Sequence, residues 1–321
     1  MSVNFPMWLQ TNNLLIESMQ VLNVVAKTRT MTIVPWDGTQ DSTLTLTDIT
    51  VSNNVNMNIT AGMFGVDFKK ASGRSTATIT GLTLSNNTVS LVYVIYFAVN
   101  NLTFGDGYMI DTVISGPNST VALLANASDV LHIYNMTTRN NGYNNQTLGN
   151  EVITAVCNMT TSCILEDFVL DGDNTELQVY YNPAGATVRN VSVRNSMRGG
   201  IHLYVNRSHV EVVDVDIRDT YHTYAAGIKV NINQGGSVNI TDIYMRNLTT
   251  DIGGNCFHFT ANEIAAYSLQ NTTCHNSSLT GNGKSYGGGV GLEASLNQTT
   301  IHLVNTSWYD LNSSQEGAIT L

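Results

Sequence analysis

Asn190–Ser196 reads NVSVRNS, and its pattern returns as DVDIRDT at Asp214–Thr220, DIYMRNL at Asp242–Leu248 and AYSLQNT at Ala266–Thr272. In each stretch apolar side chains take the second and fourth places, polar ones lie between, and Asn or Asp takes the sixth. Alternation with period two places every second side chain on one face, the signature of a half-buried strand. Asn and Asp tolerate the left-handed backbone of a sharp corner, because a short polar side chain can bond locally. The unit is therefore a short strand that ends in a bend.

Seven further copies extend the pattern: SMQVLN from Ser18, DITVSN from Asp48, GLTLSN from Gly81, NLTFGD from Asn101, VLHIYN from Val130, DFVLDG from Asp167 and NTSWYD from Asn305. The eleven copies recur at a mean interval of about 29 residues, inside the range of repeat architectures. Among their second and fourth places only Thr306 is not apolar, and only Gly172 replaces Asn or Asp in the sixth. Asn53, Asn195, Asp219, Asn247, Asn271 and Asp310 represent that sixth column. A second strand follows many copies, often led by glycine, as in GGIHLYV from Gly199, AAGIKVNI from Ala225, GNCFHFT from Gly254 and GGVGLEA from Gly288.

Strands that keep their pattern while the intervening loops change length fit a coil in which each repeat is one rung. The predicted fold is all-β, a single-stranded parallel β-helix of about eleven rungs. One domain spans 1–321, with 1–17 as an N-terminal extension or short cap. Stacking puts like residues above like, so apolar columns form the core and corner amides form a ladder. A β-propeller or sandwich is the competitor, and neither explains one short strand plus a corner Asn at this interval. On this repeat and Asn ladder the chain resembles the right-handed parallel β-helix, or pectate-lyase-like, superfamily over nearly its whole length. Right-handedness follows from that resemblance and from the handedness of parallel crossovers.

Composition narrows the function. A net charge of −10 with only 12% charged residues disfavours nucleic acid, whose backbone needs a basic footprint. The longest apolar run, VSLVYVIYFAV from Val89 to Val99, is too short to span a membrane. The chain has 38 Asn and 63 Ser plus Thr, so random placement would give roughly 7 N-x-S/T sequons. It has 17. Those at Asn58, Asn101, Asn118, Asn126, Asn145, Asn158, Asn190, Asn206, Asn239, Asn276, Asn297, Asn305 and Asn312 are read as carriers of covalent N-glycans. Those at Asn86, Asn135, Asn247 and Asn271 fall in the sixth column, where an amide turned into the corner would be blocked. The excess implies a secreted, cell-surface glycoprotein. MSVNFPMWLQ shows no basic and apolar leader, so a signal segment is expected upstream or already removed. Four cysteines in such a chain read as two disulfides, with Cys157–Cys163 and Cys256–Cys274 the favoured pairing of three.

Chemistry is sparse. The Asn-Thr-Asp, Asp-Asp and Gly-His-Gly motifs shared by polygalacturonase-like enzymes are missing from the sequence. Asp214, Asp216 and Asp242 could supply carboxyl pairs, but Arg194, Arg218 and Arg246 fall in the fifth column beside them, which reads as an outward salt-bridged ladder. As a ligand face the same arginines would hold carboxylates through their planar fork. A second candidate face stacks Gln178, His202, Lys229 and His258 in one outward column, with Tyr180 and Tyr204 two residues on. No catalytic set, metal or cofactor is expected. The reading is an extracellular structural glycoprotein, a stiff rod that is a segment of a longer chain or a subunit stacking end to end. The alternatives are a polysaccharide-active lyase or hydrolase, or a glycan-binding adhesin.

Overall fold

The computed structural model describes residues 7–26, 31–34, 39–56, 64–68, 73–89, 93–114, 121–143, 151–157, 162–172, 177–181, 185–197, 199–222, 225–251, 254–262, 264–280, 289–294, 299–312 and 319–320. Among them every regular element is a β-strand. The pairings are parallel, so the molecule is a parallel β-solenoid. Two compact units divide the chain, Met1–Ile164 and Leu165–Leu321.

One turn of the second unit shows how the repeat folds. The strand His209–His222 contains two left-handed residues, Asp214 (φ 56) and Asp219 (φ 54). They bend it into a first wall, residues 209–213, and a second wall, residues 215–218. A third wall, Ile228–Asn233, closes the turn. Laid on the next turn, Val212 pairs with Ile240, Ile217 with Met245, and Val230 with Phe259. Neighbouring turns lie about 4.8 Å apart, the spacing of hydrogen-bonded strands. Val193, Ile217, Met245 and Cys274 thus form one column, and each is fully buried. The first unit has the same three walls, with Leu44, Ala77, Leu102 and Leu131 in one column and Phe64, Ile95, Leu123 and Ile153 in another. Phe97 meets Phe64 and Phe104 edge-on there, at 6.2 and 5.3 Å between centroids. Columns of one residue class are what a period-two sequence must build when each strand sits in register on the last.

Most left-handed residues come in pairs five apart. In the first unit they are Ser18/Asn23, Asp48/Asn53, Gly81/Asn86, Asp106/Asp111 and Asn135/Asn140. In the second they are Asp167/Gly172, Asn190/Asn195, Asp214/Asp219, Asp242/Asn247, Asn271/Asn276 and Asn305/Asp310. The repeat pattern predicts one corner per repeat, with the first column an ordinary outward strand position. That column is a second corner in most copies. The copies at Asn101, Val130 and Ala266 lie on the first wall rather than the second: Leu102 pairs with Ala77, and Tyr267 with Val238. The eleven copies are therefore not equivalent: three lie before the first corner of their turn and eight after it.

The buried amide ladder is displaced by one residue from its expected place. Asn54, Asn87 and Asn141, each 1% exposed, follow the second corner. The Val24 backbone N–H donates to Asn54 Oδ1 (2.7 Å), and the Asn54 N–H donates to Asn87 Oδ1 (3.0 Å). Asn87 Nδ2 donates to the Val51 carbonyl (2.9 Å), and Asn54 Nδ2 to that of Val21 (3.0 Å). Asn141 repeats the motif with the Thr112 N–H and the Met109 carbonyl. Each side chain so satisfies backbone groups that the bend takes out of the sheet. A short parallel sheet, including Val55–Asn56, Thr88–Val89 and Val113–Ile114, continues from it. In the second unit Ser196, Thr220, Leu248 and Ser277 hold the corresponding buried place, and the Leu248 N–H donates to Ser277 Oγ (3.3 Å).

Both expected disulfides are present, Cys157–Cys163 and Cys256–Cys274. Cys274 stands on the second wall and Cys256 just before the third, so this bond ties two walls together in the interior.

Candidate functional site

The corner side chains point outward. Asn53, Asn195, Asp219, Asn271 and Asp310 are exposed, and Asn247 is half-buried. The objection to sequons in the sixth column therefore falls: Asn86, Asn135 and Asn271 are exposed as well. Asn190, Asn239, Asn276 and Asn305 are exposed, while Asn101, Asn126 and Asn206 are half-buried. Asn58, Asn118, Asn145, Asn158 and Asn297, and the side chain of Asn312, lie outside the described residues. No described sequon asparagine is buried, whereas the buried asparagines Asn54, Asn87, Asn141 and Asn255 all lie outside sequons.

The outward corners form ladders of their own, in which an Asn amide donates to an Asp or Asn one turn earlier. Asn135 Nδ2 donates to Asp106 Oδ1 (2.6 Å), Asn190 to Asp167 (2.6 Å), Asn271 to Asp242 (3.0 Å) and Asn305 to Asn271 Oδ1 (3.2 Å). At the other corner Asn247 Nδ2 donates to Asp219 Oδ1 (2.7 Å) and Asn276 to Asn247 Oδ1 (2.6 Å). Asn195 Nδ2 donates to Asp171 Oδ1, one residue before the corner Gly172 (2.8 Å). Bonds to a carboxylate are the stronger kind. Exposure to water limits what each adds to stability.

Between the two corners of the second unit lies the second wall, and its outer face carries the arginines. Arg194, Arg218, Arg246, His275 and Tyr309 share one column. Ser192, Asp216 and Tyr244 share the next. Of the expected ladder of salt bridges, Arg218–Asp216 forms within one strand: Nε donates to Oδ1 at 2.5 Å and Nη2 lies 2.5 Å from Oδ2. That hydrogen bond is the main cause that holds the Arg218 guanidinium above its ordinary pKa. Arg194 donates to Ser192 Oγ instead (3.0 Å). Asp214 and Asp242 are corner residues, and Asp242 accepts the Asn271 amide. Asp214, Asp216 and Asp242, the carboxyls that could have supplied a pair, are thus divided between two corners and a strand. The strip is also aromatic. Arg218 lies 5.5 Å from the Tyr244 ring centroid, within cation–π range. Tyr244 Oη lies 2.7 Å from His275 Nε2, and His275 stacks on Tyr309 at 4.9 Å.

The second candidate face has the expected register but not the expected exposure. Gln178, His202, Lys229 and His258 do form one column, with Tyr180 and Tyr204 in the next. Gln178, His202 and His258 are only 4–5% exposed, so this is not a solvent-facing row. Tyr180 stacks on Tyr204 at 4.3 Å, His202 packs against Tyr204 at 4.1 Å, and Asn231 Nδ2 lies 3.0 Å from His202 Nε2. Lateral packing, which strand periodicity does not encode, covers it. Among the described residues no His, Cys, Asp or Glu cluster suits a metal ion, and no helix is long and apolar enough to cross a membrane.

No family model, curated protein or solved structure matches the chain.

Proposed function

We propose that the chain is an extracellular, N-glycosylated structural protein, a non-catalytic relative of the pectate-lyase-like β-helices whose coil serves as a stiff module of a cell-surface assembly. One observation carries this reading: the sequon excess falls on a solenoid in which every described sequon asparagine reaches the surface while the buried asparagines lie outside sequons. An Asn that must carry an oligosaccharide needs solvent beyond its amide. The two disulfides are compatible with an oxidising compartment. Self-association, by strand edges pairing between copies, completes the proposal.

The test is secretion from a eukaryotic host, followed by enzymatic release of N-glycans in 18O water, which converts each occupied Asn to a mass-tagged Asp. Tags at Asn135, Asn190 and Asn239 are expected. A product with no tagged asparagine ends the glycoprotein reading. The second reading, a binding module for acidic glycans, rests on the Arg218–Tyr244–His275–Tyr309 strip, where Tyr244 is 36% and Tyr309 50% exposed. It expects a uronate polymer to bind the protein and Arg218→Ala to weaken that binding about tenfold, the worth of about 1.4 kcal/mol. Appearance of unsaturated sugar ends on incubation would replace both readings with a lyase.

A further inference from the structure

Two pairs of sequons in the second unit sit one directly upon the other. Asn276 Nδ2 donates to Asn247 Oδ1 at 2.6 Å, and Asn305 Nδ2 to Asn271 Oδ1 at 3.2 Å. The stacking includes the hydroxyl residue that completes each sequon. Thr249 is in register with Ser278, their oxygens 3.4 Å apart, and Thr273 is in register with Ser307. By contrast, Asn135 and Asn190 rest on Asp106 and Asp167, which lie in no sequon.

N-glycosylation transfers an oligosaccharide from an activated lipid pyrophosphate. The anomeric carbon leaves its phosphate oxygen and bonds to Nδ2, which gives up one proton. In each stacked pair the two side chains leave the same outward corner, separated by a single turn of about 4.8 Å. Branched oligosaccharides leaving in the same direction from points that close compete for one volume. The ladder adds a second constraint, because the Nδ2 that would take the sugar is also the donor that holds the corner amide in line.

Resting on the glycoprotein reading above, we infer that each stacked pair is a single modification site: one oligosaccharide is carried by Asn247 or Asn276, and one by Asn271 or Asn305. Occupancy within a pair is exclusive, and Asn135 and Asn190 fill independently.

The chain provides a direct readout. Trypsin cuts after Arg246 and Lys284 with no Lys or Arg between, so Asn247 and Asn276 travel on one peptide. Glycan release in 18O water then records both sites of the same molecule. Fragmentation assigns each tag on this peptide, which also carries Asn271: a tag at Asn247 or at Asn276 is expected, with or without one at Asn271, and peptide tagged at both Asn247 and Asn276 absent. Thr249→Ala, which destroys the Asn247 sequon and leaves the fold's buried groups untouched, should raise the tag at Asn276; Ser278→Ala should raise it at Asn247. Abundant peptide tagged at both Asn247 and Asn276, or an Asn276 occupancy unmoved by Thr249→Ala, overturns the pairing while leaving the glycan coat intact. Untagged asparagines throughout remove the coat and the pairing together.

Discussion

Adjacent asparagines in this protein have opposite duties. Asn86 is an exposed corner with φ 52, and its neighbour Asn87 is 1% exposed and serves two backbone groups. Asn87→Ala leaves the Asn54 N–H and the Val51 carbonyl unpaired in the interior, which costs about 1–3 kcal/mol for each group. Asn86→Gly removes a side chain from a backbone conformation that glycine adopts freely, so stability should change by less than about 0.5 kcal/mol. Urea midpoints of the two variants measure this, and similar losses for both would contradict the division of labour. The Asn-Asn pairs at 53–54, 86–87 and 140–141 were the signal for it in the sequence. A pattern window closing at the sixth column hides the second residue. Tyr267 illustrates a second residue-level effect. Its phenol is 1% exposed, and burial pushes its pKa far above the ordinary tyrosine value. Below about pH 10 it is protonated in both folded and unfolded chain. Above that the unfolded chain releases the proton and the fold retains it, so stability falls by about 1.4 kcal/mol per pH unit on this account. Tyr267→Phe should flatten the alkaline limb in denaturation series at pH 9 to 11, and an unchanged slope would falsify the assignment.

At the level of strands and corners, close approach between turns decides which glycines matter. A Cβ on Gly227 would stand 2.2 Å from the Cys256 carbonyl oxygen and 2.6 Å from Met245 Sδ. Backbone cannot retreat, so Gly227→Ala should cost about 3 kcal/mol. The atoms nearest a Cβ on Gly105 would all be in the Tyr134 ring, the first at 2.0 Å, part of a half-buried side chain that can rotate away. Gly105→Ala should therefore stay within about 1 kcal/mol of the parent. Thermal melts distinguish the two. The disulfides scale with the loops they close. Cys256–Cys274 spans 18 residues and Cys157–Cys163 spans 6, so chain entropy gives about 3 and about 2 kcal/mol respectively. Replacing each pair by alanine and comparing denaturation midpoints should preserve that order. The strands themselves were legible, because V-x-V alternation reports packing local to each strand. The first corner was less so: Ser18, Asp48, Asp167 and Asp214 look like ordinary outward polar residues until φ is seen. The burial of His202 and His258 left no local trace, since packing between strands, such as that of His202 on Asn231 of the next turn, is not written in either strand alone.

At the scale of the molecule, each turn in a unit pairs with its neighbours above and below, so stability is close to a sum of turn and interface contributions. A lesion such as Gly227→Ala should then accelerate hydrogen exchange most in the turns that pair with Ile228–Asn233, namely Ile201–Asn206 and Phe257–Ala261, and fade beyond them. Uniform acceleration across the second unit would instead indicate one all-or-none block. The coil was legible at this scale because repetition multiplies a weak local signal. The stacking of the sequons was less so, since a sequon is defined by three residues while its stacking depends on register between turns.

The paired left-handed bends set the course of the backbone independently of whatever lies between one circuit and the next. Val213 is followed by the bend at Asp214, and Thr241 is followed by the equivalent bend at Asp242. Splicing Val213 directly to Asp242 would excise one whole circuit and bring Ile217's neighbours, Val193 and Met245, face to face. Such a shortened chain should still fold and melt cooperatively, whereas a cut displaced by one residue would turn the apolar side chains outward. A protein made this way can change its length in whole steps without inventing a new interior, as a spiral staircase gains or loses treads.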